Sequence, residues 1–197
     1  SSYNSEKFLK LRNDFNHRKN LEYNYYVMLY VLIVYAFNNQ IRFNKKGEFN
    51  LPVGKRDFNK KMREKLSIFI DRLKSGDYKF ESMDFRELDT DDWSEKTFVY
   101  ADPYLITCAT YNEQDGWNED LEKELLSYLD KLNDRRIRFA LSNVLRSKGK
   151  ENTILMDWIN RNIGKYHVVY LDYDYSNSNY QTKDKNSKAE EVLIVNY

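Results

Sequence analysis

The chain has 197 residues with a formal net charge of +1, so its overall charge suggests no strongly acidic or basic partner. This length suits one domain, or one large domain with a small insertion, and an aromatic content of 16% excludes global disorder. A single cysteine, Cys108, excludes an internal disulfide framework and a cysteine-built zinc site, and it fits a reducing cytoplasm.

The first predicted element is an apolar helix within residues 21–37, LEYNYYVMLYVLIVYAF. Its apolar positions recur at intervals of three and four, which keeps them on one helical face: Leu21, Tyr25, Met28, Leu32 and Tyr35. The stretch is short for a membrane span and contains several tyrosines, so it predicts a buried helix and no membrane contact. The N-terminus shows no secretion signal.

A second amphipathic helix is predicted after a loop rich in Asn, Gly and Pro. Its inward positions are Phe58, Met62, Leu66, Phe69 and Leu73. Residues 42–74 contain eleven Lys and Arg against four Asp and Glu, whereas residues 77–95 contain eight acids against two bases. The basic segment can contact phosphates, although charge alone is equally consistent with a solvated surface.

Beyond residue 95, short β-prone runs alternate with helical segments. The runs TFVYA, IRFAL, HVVYL and EVLIV predict strands, and NEDLEKELLSYLDKLN and ENTILMDWINRNI predict helices. This order predicts an α/β fold, a largely parallel sheet covered by helices, with the last strand inserted antiparallel.

Polar residues follow two of these strands. FVYA continues into Asp102, Pro103 and Tyr104, and RFAL continues into Ser142 and Asn143. Ligands of open parallel sheets bind beyond the carboxyl ends of the strands. A carboxylate, a carbonyl and a ring can together bind an exocyclic amine and stack on a flat base. On spacing alone, an ordinary Asp-Pro turn is the commoner explanation.

Longer motifs add a resemblance to a family. FVYADPYLITCATYNEQDGW resembles the region that carries the D-P-P-Y motif of Dam-type (D12 class) adenine-N6 DNA methyltransferases. The segment around residues 42–54 resembles R-x-N-x-x-G-x-F-N-x-P-x-G of the same family. The matching residues are Arg42, Asn44, Gly47, Phe49, Asn50, Pro52 and Gly54.

The resemblance implies a partial Rossmann-like methyltransferase sheet with helices on its faces in residues 76–197. It also implies a mainly helical target-recognition region with a basic loop in residues 1–75. Asp102 and Pro103 are then expected to bind the adenine amine, and Tyr104 to stack on the flipped base. Asp84 and Phe85, in MDFREL, are expected to contact the cofactor, S-adenosylmethionine.

Double-stranded DNA is the implied partner, with GATC as the implied target. The residues expected to contact DNA are Arg42, Asn44, Lys45, Lys46, Asn50, Lys55, Arg56, Ser142, Asn143, Asn177 and Asn179. No metal site is expected, because His17 and His167 lack a ligand constellation. Trp117 is expected either to line the base pocket or to pack in the core.

The sequence departs from the family pattern in two ways. None of its six glycines forms the G-x-G of the family's cofactor loop, and D-P-Y stands in place of D-P-P-Y. The chain is then a fragment, or one subunit whose second chain supplies the cofactor half, or a protein that has lost methyl transfer. We therefore expect weak activity from the isolated chain, with a non-catalytic DNA-binding remnant as the alternative.

Overall fold

The computed structural model describes residues 2–18, 23–103, 117–147, 149–171 and 189–197. The chain divides into two compact units, Ser1–Ser82 and Met83–Tyr197. The sequence predicts a boundary after residue 75. Within the described ranges, no helix has the length and apolar character needed to cross a membrane.

Two helices form the core of the first unit. Helix α1 spans Ser2–Asn16 and α2 spans Tyr23–Tyr35, so the predicted apolar helix is confirmed. α1 has no counterpart in the sequence-based prediction. The buried apolar residues of this core are Phe8, Phe15, Leu32, Ala36, Phe49 and Leu51.

The loop after α2 folds back onto the end of that helix. The backbone N–H of Gly54 donates to the carbonyl of Tyr35 at 2.7 Å, and the N–H of Phe37 donates to that of Pro52 at 3.0 Å. A Cβ atom at Gly54 would lie 2.4 Å from the carbonyl oxygen of Ala36. Because real Cβ atoms do not approach backbone this closely, the position requires glycine.

Helix α3 spans Lys60–Ser75, and the side chain of Asn59 caps it by accepting from the N–H of Met62. The predicted helix is therefore confirmed, but its predicted inward face is not buried. α3 contains no buried residue, and Phe69 is 57% exposed. Among the described helices and strands, none packs extensively against α3 or covers its apolar stripe.

The second unit contains a five-stranded sheet. The strands are β1 (Phe98–Ala101), β2 (Arg138–Ser147), β3 (Lys150–Glu151), β4 (His167–Leu171) and β5 (Glu190–Val195). The order is β1-β2-β5-β4, and β3 pairs with the end of β2. β1 and β2 are parallel, whereas β5 is antiparallel to both β2 and β4. β1, β2 and β4 therefore run in the same direction, and the last strand is inserted antiparallel between β2 and β4, as the sequence predicts.

Helices α4 (Glu119–Asp134) and α5 (Thr153–Arg161) supply the apolar residues that cover the sheet. Both were predicted. Asn118 caps α4 by accepting from the N–H groups of Asp120 and Leu121. The main core residues are Leu125, Leu126, Leu129, Leu132, Ile137, Phe139, Leu141, Leu155, Trp158, Val192 and Ile194. The second unit is thus a mixed α/β structure with an open sheet.

Candidate functional site

The Asp-Pro-Tyr motif begins at the carboxyl end of β1. Ala101, the last residue of β1, pairs with Leu141 of the parallel strand β2. Asp102 follows and is exposed, and Pro103 is buried. Within the described ranges, no hydrogen bond or ion pair engages the Asp102 carboxylate. Tyr104 lies outside the described residues. This strand end therefore presents an exposed carboxylate, followed by a buried proline.

Ser142 and Asn143 lie inside β2 and not after it, which corrects the predicted end of this strand. Ser142 and Asn143 pair with Leu193 and Val192 of β5. The last two residues of β2 pair with β3, so the strand continues to Ser147. Ser142 is half-buried, and Asn143 is only 4% exposed. The side chain of Asn143 is engaged within the protein, so the structure does not present it to a DNA surface.

A buried carboxylate, Glu122 of α4, binds this asparagine. Glu122 is 0% exposed, and its Oε1 accepts hydrogen bonds from the side-chain amides of Asn143 at 2.8 Å and Asn152 at 2.9 Å. Its Oε2 accepts from the indole N–H of Trp117 at 2.6 Å. We call Trp117, Glu122, Asn143 and Asn152 the Glu122 cluster.

Sequence reasoning missed Glu122, although a signal for it exists. Glu122 lies three residues before Leu125 and seven before Leu129, so it falls on the buried stripe of α4. An acid on that stripe is unusual, because an ionised side chain is costly to bury without partners.

The predicted cofactor residues open a short 3₁₀ turn, Phe85–Glu87. Both carboxylate oxygens of Asp84 accept from the guanidinium of Arg86 at 2.9 Å, and this contact lowers the pKa of Asp84. Arg86 also donates to Glu124 of α4 at 2.9 Å. The turn is thereby tied to α4.

The ring of Phe85 lies against two aromatic residues of the same unit. Its centroid is 5.8 Å from that of Trp117 and 5.8 Å from that of Tyr128. The phenolic oxygen of Tyr128 is buried without a hydrogen-bond partner in the described part of the chain, and burial raises its pKa. A cavity of about 270 Å³ is lined by Phe85, Tyr128 and their neighbours. Trp117 thus contacts both Phe85, a predicted cofactor residue, and Glu122.

Several predicted DNA-binding residues of the first unit lie in a hairpin, residues 42–50. The guanidinium of Arg42 donates to the side-chain carbonyl of Asn50 at 2.7 Å, which closes its base. Asn44 Oδ1 accepts from the N–H groups of Lys46 and Glu48, which shapes its tip. Arg42, Asn44 and Asn50 therefore bond within the hairpin, and the side chain of Lys46 is exposed.

Lys45 is exposed beside Lys46 at the hairpin tip, and Lys55 is exposed further along the loop. Arg56 is also exposed and donates to the side chain of Asn39 at 2.7 Å. Asn177 and Asn179 lie outside the described residues. No cluster of His, Cys, Asp and Glu suited to a metal ion occurs among the residues that the structure describes.

Known proteins resemble this chain over nearly its whole length. Residues 1–177 match the D12 class N6 adenine-specific DNA methyltransferase family. The chain is 40% identical to modification methylase StsI of Streptococcus sanguinis and 38% identical to type II methyltransferase M.FokI of Planomicrobium okeanokoites, each over 100% of its length. It is 33% identical over 91% of its length to modification methylase LlaI of Lactococcus lactis subsp. lactis.

The chain spans 30% of the length of each of these relatives, so the similarity covers one part of longer proteins. The family match nevertheless includes both the 42–54 segment and the Asp102 strand end. On this match, the chain belongs to the D12 class of N6 adenine-specific DNA methyltransferases.

Proposed function

We propose that the complete polypeptide containing this chain methylates the N6 amine of adenine in double-stranded DNA, and that this chain supplies the base-binding part. One observation carries the proposal: in a D12-class chain, an exposed Asp102 follows the parallel strand β1. Modification methylases among the relatives support the same reaction class.

The chemistry of this strand end suits an exocyclic amine. A carboxylate accepts hydrogen bonds only, and the carbonyl of Pro103 is a second acceptor. Two acceptors bind the two N–H groups of the adenine amine and leave its lone pair directed toward a methyl donor. Tyr104 is proposed to stack on the base after it leaves the duplex, since base-modifying enzymes extrude their target.

S-adenosylmethionine is the proposed cofactor, and it would supply the methyl group. The donor set fits the adenine end of this molecule: Asp84 is half-buried and retains acceptor capacity beyond its contacts with Arg86, and Phe85 offers an aromatic ring. None of the chain's glycines forms a G-x-G loop for the methionine end. That part of the site is proposed to come from another segment or a second chain, which would complete a Rossmann-like sheet.

Residues 1–75 are proposed to be the target-recognition region. Exposed Lys45, Lys46, Lys55 and Arg56 lie in the basic stretch and suit contacts with DNA phosphates. GATC is the proposed target, by resemblance to Dam-type relatives. The internal hydrogen bonds of Arg42 and Asn50 favour a role in shaping the hairpin that presents these residues.

A second candidate is a DNA-binding unit without methyl-transfer activity, either a remnant or one subunit of a split enzyme. The shortened D-P-Y motif favours it. One residue shifts the backbone by about 3.8 Å, whereas a productive site tolerates errors of only about 0.5 Å. If this second candidate is correct, the chain binds DNA. Replacing Asp102 then changes no activity of the isolated chain or of the complete polypeptide.

The test is methylation of duplex DNA by the complete polypeptide, with N6-methyladenine detected by mass spectrometry and a GATC duplex compared with a scrambled one. We expect Asp102→Ala to lower kcat by about 10- to 150-fold, since a charge-assisted hydrogen bond contributes roughly 1.5–3 kcal/mol and 1.4 kcal/mol is about tenfold. Its Tm should stay unchanged, because the side chain is exposed.

Asp92→Ala is the matched control, an exposed acid in the turn before β1. It should leave both kcat and Tm at the wild-type level. Full methylation by Asp102→Ala, or methylation of a base other than adenine, would contradict the proposed function. Methylation of adenine in the scrambled duplex would contradict GATC alone.

A further inference from the structure

We propose that Glu122 is a positioning residue of the adenine-binding strand end, a role that rests on the proposed function. Within the described residues, the hydrogen bonds of Glu122 go to Trp117, Asn143 and Asn152, and no catalytic role is assigned to its carboxylate. Its effect would pass through the side chains that it binds, Trp117 and Asn143.

The hydrogen-bond pattern requires a carboxylate at this position. Asn143 Oδ1 accepts from the backbone N–H of Val144 at 2.7 Å, and Asn152 Oδ1 accepts from that of Leu155 at 3.0 Å. Both amides must therefore turn their NH₂ groups toward Glu122. The indole of Trp117 can only donate. Three donors thus converge on one side chain, which must offer acceptors on both of its oxygens.

The cluster adjoins the proposed adenine site along the sheet. Asn143 lies two residues beyond Leu141 of β2, and Pro103 lies two residues beyond Ala101, its paired neighbour on β1. Because side chains alternate along a strand, Asn143 faces the same side of the sheet as the core residue Leu141. The bond to Glu122 thus links α4 to β2 just beyond the point where the Asp-Pro pair leaves the neighbouring strand β1.

The cluster also reaches the proposed cofactor residues. Trp117 donates to Glu122 through its indole N–H and lies against the ring of Phe85, at 5.8 Å between centroids. Asn152, the third partner, caps the first turn of α5. One carboxylate therefore connects β2, the start of α5 and the residue that contacts Phe85.

Core stability alone does not explain a carboxyl group at this position. Glu122 is fully buried, and no cation contacts it within the described ranges. Well-packed apolar residues in place of a buried charge and its partners are often neutral or stabilising. A buried polar cluster, by contrast, selects one arrangement of the groups that it connects. The structure thus favours a geometric role for Glu122.

The test compares Glu122→Gln with Glu119→Gln in the complete polypeptide, measuring kcat, DNA affinity and Tm. Glu119 is an exposed acid in the first turn of the same helix. A Gln amide at 122 places its own NH₂ against one of the three donors. We expect kcat per cofactor-binding site to fall at least about tenfold, with the DNA Kd within about threefold of the control.

A merely structural role would lower Tm and the fraction of binding-competent protein, but not kcat per competent site. The fraction is measured by equilibrium dialysis with S-adenosylmethionine. If wild type methylates adenine and Glu122→Gln matches Glu119→Gln, the positioning role fails while the proposed function stands. If wild type does not methylate adenine, the proposed function fails first.

A second variant keeps the test decisive if Glu122→Gln folds poorly. Trp117→Phe removes the indole donor but keeps a ring to lie against Phe85, so the Gln amide no longer faces a donor. We expect the double variant Trp117→Phe with Glu122→Gln to exceed Glu122→Gln in kcat by at least about threefold. The proposal would be overturned if the loss of kcat in the double variant equalled the product of the losses in the two single variants.

Discussion

The hairpin of residues 42–50 gives a quantitative test of the proposed DNA contact. Lys45 and Lys46 are exposed at its tip, and no hydrogen bond or ion pair engages their ammonium groups within the described ranges. The tip is shaped instead by the side chain of Asn44. Replacing both lysines by alanine therefore removes two charges and leaves the hairpin fold unchanged.

The magnitude follows from counterion release. Each phosphate neutralised contributes a slope of about −0.9 to log K against log salt. Loss of two contacts should make the slope less steep by about 1.8. Between 50 and 200 mM salt, wild type should then lose about 12-fold more affinity than the double variant.

The assay is fluorescence anisotropy of a labelled duplex with the complete polypeptide at four or five salt concentrations. The control replaces Lys96 and Lys150, which are exposed in the second unit outside the basic segment, and it should retain the wild-type slope. An unchanged slope in the Lys45 and Lys46 variant would refute phosphate contact by the hairpin tip. Equal changes in test and control would show a non-specific charge effect.

Two further predictions concern the scaffold. Gly54→Ala should lower the Tm of the first unit, because its Cβ would lie 2.4 Å from the backbone oxygen of Ala36. Gly76→Ala is the control and should be tolerated, because the nearest atoms to its Cβ belong to the movable ring of Tyr78. Equal Tm values for the two variants would contradict this reasoning. Arg86→Gln should raise the pKa of Asp84 toward its ordinary value, since hydrogen bonds from Arg86 lower it, and NMR titration of the carboxyl carbon measures the shift. Any stability from this pair should be present at neutral pH and lost as the pH falls through the lowered pKa. Glu124→Gln is the control, and an equal shift in that variant would contradict the assignment.

The sequence predicted the helices and strands better than their packing. Apolar periodicity identified α2, α3, α4 and α5, because a helix in contact with a core repeats its apolar residues every three or four positions. The same rule assigned an inward face to α3 and failed at Phe69, which is 57% exposed. Periodicity shows which face of a helix is apolar, but not whether another element covers it.

The candidate site was predictable where it rests on local motifs. The strand FVYA and the exposed Asp102 after it follow from the sequence. The predicted end of β2 was too early, because Ser142 and Asn143 pair with β5, a strand far along the chain whose register has no local signal. Glu122 was missed because its three partners lie 5, 21 and 30 residues away in the chain. The roles of the predicted cofactor and DNA-binding residues stay predictions.

The order of the sheet has a consequence for how this unit is made on the ribosome. β2 pairs along most of its length with β5, the last described strand, and β4 pairs with the other edge of β5. Ser147, the end of β2, and Glu190, the start of β5, are 43 residues apart. At a translation rate of about 5–20 residues per second, β5 is therefore synthesised about 2–9 s after β2. During that interval an apolar strand edge is available to other nascent chains. A chaperone that shields such edges during synthesis should therefore raise the yield of native protein.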